Sequence, residues 1–280
     1  MPLADPPAPD TRFLFRPVSV ALLGLLRDLD SSDWNKPTLA GAWTVRDVVA
    51  HLIDGSLRRV SFHRDGMTPP PPTVPIANER DFVRFINTLN GEWVAISRRF
   101  SPPILVELFA LASSATADWF ERLSLDAPAL FPVSWAGEAQ SAGWFDIGRE
   151  FTELWHHQQQ IRLAVDAPSL DDARYLRAVL EIAMRGLPHA FREAPAAAGQ
   201  TVVVDVTGTA GSQWTLLRDD ERWILRAGAS GEPTTVIRLD DDTAWRVLFN
   251  ALSADDPQQV EISGDRSLAA LFLRARSVIV

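Results

Sequence analysis

The most informative absence in this sequence is cysteine, which does not occur in its 280 residues. Disulfides, thiolate metal sites and cysteine nucleophiles all require this residue, so all three are excluded. Any thiol chemistry must therefore use a thiol supplied from outside the chain.

Basic residues and long apolar runs are also scarce. Twenty-seven Lys and Arg stand against 36 Asp and Glu, a net charge of −9. This excess of negative charge argues against binding to nucleic acid or to an anionic membrane. No apolar run approaches the roughly 18 residues of a transmembrane helix. The start of the chain lacks the basic and apolar regions of a signal peptide, so we expect a disordered tail over residues 1–11 and a cytoplasmic location.

The spacing of apolar residues changes once along the chain. Up to Phe191 it is helical, and from Thr201 it alternates as in β-strands. The pattern predicts a helical bundle over 12–192, a linker over 193–200 and a small α+β domain over 201–280. The expected helices are 18–29, 44–63, 77–99, 101–123, 145–165 and 170–191. The expected strands are 201–207, 213–217, 222–226, 234–239 and 260–263, with helices at 243–252 and after Asp265.

The fifth predicted helix carries the most informative polar pair. At 100° per residue, Glu153 lies about 40° from His157, on a side that also holds Leu154 and Ile161. That side should face inward, and a buried carboxylate and imidazole need partners. A divalent cation is one such partner. A Glu–His pair four residues apart is also common at the surface, and two residues cannot complete a coordination shell.

A third ligand must come from another helix, and the second helix offers His51. This residue lies at the edge of the apolar stripe of its helix, where a histidine is more often part of the core boundary. Asp47 and Asp54 could instead orient its ring. His156, turned 100° from His157, is expected at the boundary or surface and is a fallback ligand. Trp43, just before the helix, is expected to pack or to line the approach to the site.

Two motifs make the sequence resemble a known family. The segment GAWTVRDVVAHL, residues 41–52, resembles the opening motif of DinB-like helical-bundle metalloproteins, and more narrowly of the mycothiol-dependent maleylpyruvate isomerase family. The second motif of that family, Glu-x-x-x-His, reads here as Glu153 to His157. The segment VEISGD, 260–265, resembles the start of the family's sterol-carrier-like C-terminal domain. The family often has Asp three residues after the second histidine, where this chain has Gln160.

The resemblance implies an all-α DinB-like four-helix-type bundle followed by a small α+β domain. It also implies a divalent metal held by His51, Glu153 and His157. Zinc is the first expectation, with nickel, iron or manganese suited to the same donors. Three protein ligands leave zinc an open position for an external low-molecular-weight thiol, mycothiol or a similar compound, held as thiolate.

The implied activity is isomerisation of an electrophilic small molecule or transfer of the thiol to it. No catalytic residue beyond the metal ligands is identified. An acidic substrate would need a cation, for which Arg46, Arg58 and Arg266 are candidates. Two alternatives stay open: a non-catalytic bundle that binds a metal or ligand, and a hydrolase that uses metal-activated water.

Overall fold

The computed structural model describes residues 3–72, 74–252 and 259–278. The chain forms two compact units. The helical unit comprises Thr11–Ser124 and Glu153–Leu170, and the sheet unit comprises Met1–Asp10, Leu125–Thr152 and Asp171–Val280. A helical N-terminal part followed by a C-terminal mixed sheet agrees with the sequence-based expectation. The limits proposed for folding domains, 12–192, 193–200 and 201–280, stay a prediction.

In the described part of the helical unit, four α-helices and the C-terminal part of a fifth form the structure. They are α1 (Phe15–Asp28), α2 (Val45–Arg59), α3 (Glu79–Ser97), α4 (Pro102–Phe120) and α5 (Gly143–Ala164), which contributes its residues from Glu153 onward. A π-helical turn, Val60–Arg64, continues α2. These helices lie within a few residues of their predicted positions.

The core of the helical unit forms along the apolar stripes of α1, α2 and α4. Helix α2 packs against both α3 and α4, and α1 packs against α4. The rings of Phe15 and Phe120 meet edge to face with centroids 4.9 Å apart. Spacings of three and four residues place five buried apolar side chains of α2 on one side. They are Val45, Val48, Val49, Leu52 and Ile53.

The sheet unit contains a five-stranded mixed sheet in the order β3-β2-β1-β4-β5. The strands are β1 (Thr201–Thr207), β2 (Ser212–Arg218), β3 (Trp223–Ala227), β4 (Thr235–Asp240) and β5 (Glu261–Gly264). Strands β1 and β4 are parallel, and the other neighbours are antiparallel. All five strands were predicted from the alternation of apolar residues. Val204, Trp214 and Ile237 lie side by side on one face of the sheet, and all three are fully buried.

Helices α8 (Asp241–Leu248) and α9 (Arg266–Arg274) pack against this sheet, and α6 (Ala173–Ala183) packs against α8. The prediction of one continuous helix over 170–191 is wrong. It is interrupted by a 3-10 turn, Met184–Gly186, and resumes as the short α7 (Leu187–Ala190). Pro188 explains the interruption, because proline lacks the N–H that would bond one turn back along a continuous α-helix.

The beginning of the chain differs from the expected tail. Ala4 and Ala227 exchange backbone hydrogen bonds of 3.2 and 2.8 Å, and Arg185 donates to the carbonyls of Pro6 and Pro7. Residues 1 and 2 of the expected tail lie outside the described residues. Among the helices of the described part of the chain, none combines the length and apolar character needed to cross a membrane.

Candidate metal centre

The start of α2 is held rigidly one turn before His51. The Asp47 carboxylate accepts hydrogen bonds from the backbone N–H and the hydroxyl of Thr44, both 3.1 Å. It also accepts two from the Arg98 guanidinium, at 3.0 and 2.9 Å. Burial works to raise the pKa of Asp47, but the bonds from Arg98 and Thr44 outweigh it and hold that pKa below its ordinary value. The carboxylate thus joins the first turn of α2 to the end of α3, and none of its hydrogen bonds among the described residues goes to the ring of His51.

Helix α5 is buried on more than one side. Phe151 and Trp155, on the side opposite His157, are fully buried. His156 is only 2% exposed, so its expected boundary or surface position is wrong. The amphipathic analysis failed there because a helix enclosed by protein has no solvent face to which polar residues are confined.

The structure brings together the three side chains singled out in the sequence. One ligand atom from each of His51, Glu153 and His157 lies within 4.8 Å of the others. Glu153 Oε2 is 3.4 Å from His157 Nε2 and 3.8 Å from His51 Nε2. Bonds of about 2.1 Å to a tetrahedral zinc separate neighbouring ligand atoms by about 3.4 Å. The two distances from Glu153 therefore suit a shared ion.

The protonation states of two of these groups also suit a cation. Burial works to raise the pKa of the Glu153 carboxyl, but the imidazoles of His157 and His51 beside it outweigh burial and hold that pKa well below its ordinary value. Burial is the main reason why the pKa of His51 is lowered. An ionised carboxylate and a neutral imidazole are the forms that bind divalent metals.

The histidine rings lie close together at this cluster. The centroid of His157 is 4.8 Å from that of His51 and 4.0 Å from that of His156. The second ring nitrogen of His157, Nδ1, lies 2.8 Å from Oε1 of Gln160. Sequence reasoning noted Gln160 only as a departure from a family pattern and missed this contact. The three-residue spacing on one helix was the signal that could have found it.

Trp43 contacts the cluster from the loop before α2. Its ring centroid is 5.1 Å from that of His51. Thr38 holds this loop, because its backbone N–H and its hydroxyl both donate to the Trp43 carbonyl. The half-buried indole therefore packs against a candidate ligand, as one of the two expectations for it required.

The three candidate cations differ in their surroundings. Arg58 follows His51 by seven residues on the same side of α2, and its Nη2 donates to Asp54 at 3.0 Å and to Asn90 at 2.8 Å. Its positive charge acts with burial to lower the pKa of His51. Arg46 donates instead to the backbone carbonyl of Phe100, and Arg266 begins α9 in the sheet unit. Arg58 therefore acts electrostatically on the cluster from within the helical unit.

Comparison with known proteins adds a family to this geometry. Residues 15–162, a span that includes all three candidate ligands, match the family model described as the mycothiol maleylpyruvate isomerase N-terminal domain. The chain resembles a crystal structure of the mycothiol-dependent maleylpyruvate isomerase, with a TM-score of 0.53, 14% identity and coverage of 92% of this chain and 93% of that chain. It also resembles a crystal structure of a mutant of that isomerase, with a TM-score of 0.52, 13% identity and coverage of 86% and 88%. At these identities the two likenesses show a shared fold. No curated protein matches the chain.

Proposed function

The chain belongs to the family of the mycothiol maleylpyruvate isomerase N-terminal domain, and from this premise we propose that it is a metal-dependent enzyme that uses an external low-molecular-weight thiol. The proposed reaction is isomerisation of an electrophilic small molecule or transfer of the thiol to it. In an isomerase the thiol adds to an activated double bond and leaves after rotation. In a transferase it stays on the product.

The observation that carries the proposal is the convergence of His51, Glu153 and His157 within 4.8 Å, from two helices separated by about a hundred residues of chain. Two imidazole nitrogens and one carboxylate oxygen form the donor set of open, catalytic zinc sites. When bound there, zinc would offer its remaining position to a thiol and favour the thiolate form.

The residues around the ligands have proposed roles of their own. Trp43, against the ring of His51, would shield one side of the reacting groups from water. Arg58, held by Asp54 and Asn90, would receive a carboxylate of the electrophile. We further propose a DinB-like four-helix arrangement for the helical unit, zinc as the ion, a mycothiol-like compound as the thiol, and a cytoplasmic location.

The test begins with the metal content of protein purified without a histidine tag. We expect about one ion per chain, lost in His51→Ala and in His157→Ala and retained in the control His189→Ala, whose histidine lies in the sheet unit. Tag-free wild type without a bound ion, or equal metal content in all four proteins, would contradict the proposed site.

Substitution of cobalt for the bound metal then distinguishes a thiol-dependent enzyme from a hydrolase. Addition of a thiol to the cobalt-substituted protein should produce a sulfur-to-cobalt charge-transfer band that is absent in Glu153→Ala. If no thiol changes the spectrum while esters or amides are hydrolysed, the hydrolase takes the place of the thiol enzyme. If neither occurs, a non-catalytic metal-binding bundle remains.

A further inference from the structure

We infer that Gln160 is a positioning residue, which holds the proton of His157 on Nδ1 and so leaves the Nε2 lone pair free for an ion shared with Glu153. This inference rests on the proposed metal site and adds to it the group that prepares one of its ligands. It concerns a neutral amide in the position where a carboxylate would more commonly orient a metal-binding histidine.

The geometry of the pair supports this role. Gln160 Oε1 lies 2.8 Å from His157 Nδ1, and both side chains are buried, with 3% and 7% exposure. An amide oxygen only accepts hydrogen bonds, so the proton of the neutral imidazole belongs on Nδ1. Nε2 is then unprotonated, and it is the nitrogen that lies 3.4 Å from Glu153.

His51, the other histidine proposed as a ligand, has no partner comparable to Gln160 in the described part of the chain. Its Nδ1 is buried and has no hydrogen-bond partner among the described residues. The two histidines of the cluster are therefore unequal, one with its tautomer set by the protein and one without that constraint. By preorganising His157 as a ligand, Gln160 lowers the free-energy cost of assembling the site around an ion.

The first test reads the tautomer directly in the metal-free protein. With ¹⁵N-labelled histidine, at a pH that keeps the imidazoles neutral, the His157 resonances should show a protonated Nδ1 and an unprotonated Nε2. In Gln160→Met, which keeps the length of the side chain and removes the acceptor, this single tautomer should give way to a mixture. A wild-type His157 protonated on Nε2 would overturn the inference.

The second test is metal affinity, measured by competition with a chromophoric zinc chelator. Loss of such an outer hydrogen bond typically weakens metal binding about 10- to 100-fold, and we expect a loss in this range for Gln160→Met. Gln160→Glu retains an oxygen acceptor and should restore tight binding. Unchanged affinity in Gln160→Met would contradict the inference.

Gln159→Met is the matched control. Gln159 is a buried neighbour on the same helix that donates to Ser169 at 2.6 Å and accepts from the backbone N–H of Leu170 at 2.9 Å. Its replacement should lower thermal stability but leave the His157 tautomer and the zinc affinity unchanged. Equal effects of the two methionine variants would mean that Gln160 is only structural. If Gln160→Met does not fold, the wild-type tautomer and the zinc affinity of Gln160→Glu still test the role of Gln160.

The outcomes also separate this inference from the proposed function. A wild-type protein that binds no zinc contradicts the metal site, while the tautomer in the metal-free protein still tests the role of Gln160. A wild type that binds zinc tightly, together with a Gln160→Met variant of equal affinity and tautomer, contradicts the role of Gln160 alone.

Discussion

Arg58 illustrates how a single side chain acquires a role from its neighbours. It leans back along α2 toward His51, because helical side chains point toward the N-terminus of their helix and Asp54 holds the guanidinium from one turn earlier. Its Nη2 donates to side-chain oxygens of Asp54 and Asn90. This anchoring prepares the guanidinium for a ligand without loss of side-chain freedom on binding.

Replacement of Arg58 should therefore weaken recognition of a carboxylate specifically. We expect Arg58→Met to raise KM roughly 10- to 100-fold for an electrophile that bears a carboxylate, from the loss of a charged hydrogen bond. KM for the matched neutral ester should change little. Steady-state kinetics on the pair, with Arg46→Met as the control variant, would check this. A similar rise for both electrophiles would show that Arg58 acts through the structure of α2.

At the scale of elements, the start of α2 is the place where a local motif and a long-range contact coincide. Asp47 bonds Thr44 within the first turn and Arg98 at the end of α3, and its side chain is 1% exposed. Removal of its charge leaves a partly satisfied network at the end of a helix that carries His51. The position of this ligand thus depends on a contact outside the cluster.

Asp47→Asn should lower the free energy of unfolding by about 2 kcal/mol near neutral pH, as expected for loss of charged hydrogen bonds at a helix start. The folded-state pKa of Asp47 lies below its unfolded value, so its stabilisation is complete above the unfolded pKa, near 3.9. It is lost as the pH falls through the folded pKa.

Urea unfolding of the wild type and Asp47→Asn at several pH values should therefore show curves that converge in acid. The control is Asp118→Asn, which removes an exposed carboxylate paired with Arg16 on the same unit. Exposed ion pairs contribute about 0–1 kcal/mol. A difference between wild type and Asp47→Asn that does not vary with pH would contradict the role assigned to the charge.

At the scale of the whole molecule, the proposed ligands all belong to one of the two units. His51 lies within Thr11–Ser124, and Glu153 and His157 lie within Glu153–Leu170, so the site is complete in the helical unit. Metal binding should stabilise that unit by mass action, by about 2.7 kcal/mol at a free metal concentration of 100 times Kd.

Hydrogen exchange with and without zinc would locate this stabilisation. We expect added protection of backbone amides in α2 and in α5 from Glu153 onward, and little change in β1 to β5. Removal of the metal with a chelator should reverse it. Equal protection throughout the sheet would show that the ion acts on the molecule as one cooperative body or binds elsewhere.

The sequence by itself determined the secondary structure and the candidate ligands. Helical and alternating spacings identify α1 to α5 and all five strands, because these patterns reflect local geometry and burial on one side. The absence of cysteine excluded thiolate ligands, and the inward side of α5 pointed to Glu153 and His157. Such properties depend on residues close together in the chain, so they can be read without a structure.

Only the tertiary structure decided which of these residues meet. No local pattern places His51 beside Glu153, because their distance depends on the packing of α2 and α5. The burial of His156 and the bond from Arg58 to Asn90 depend on neighbouring helices in the same way. The contact of Gln160 with His157 depends on a side-chain rotamer that sequence spacing permits but does not select. A site made by long-range packing is therefore specified by the whole fold, while its parts are specified locally.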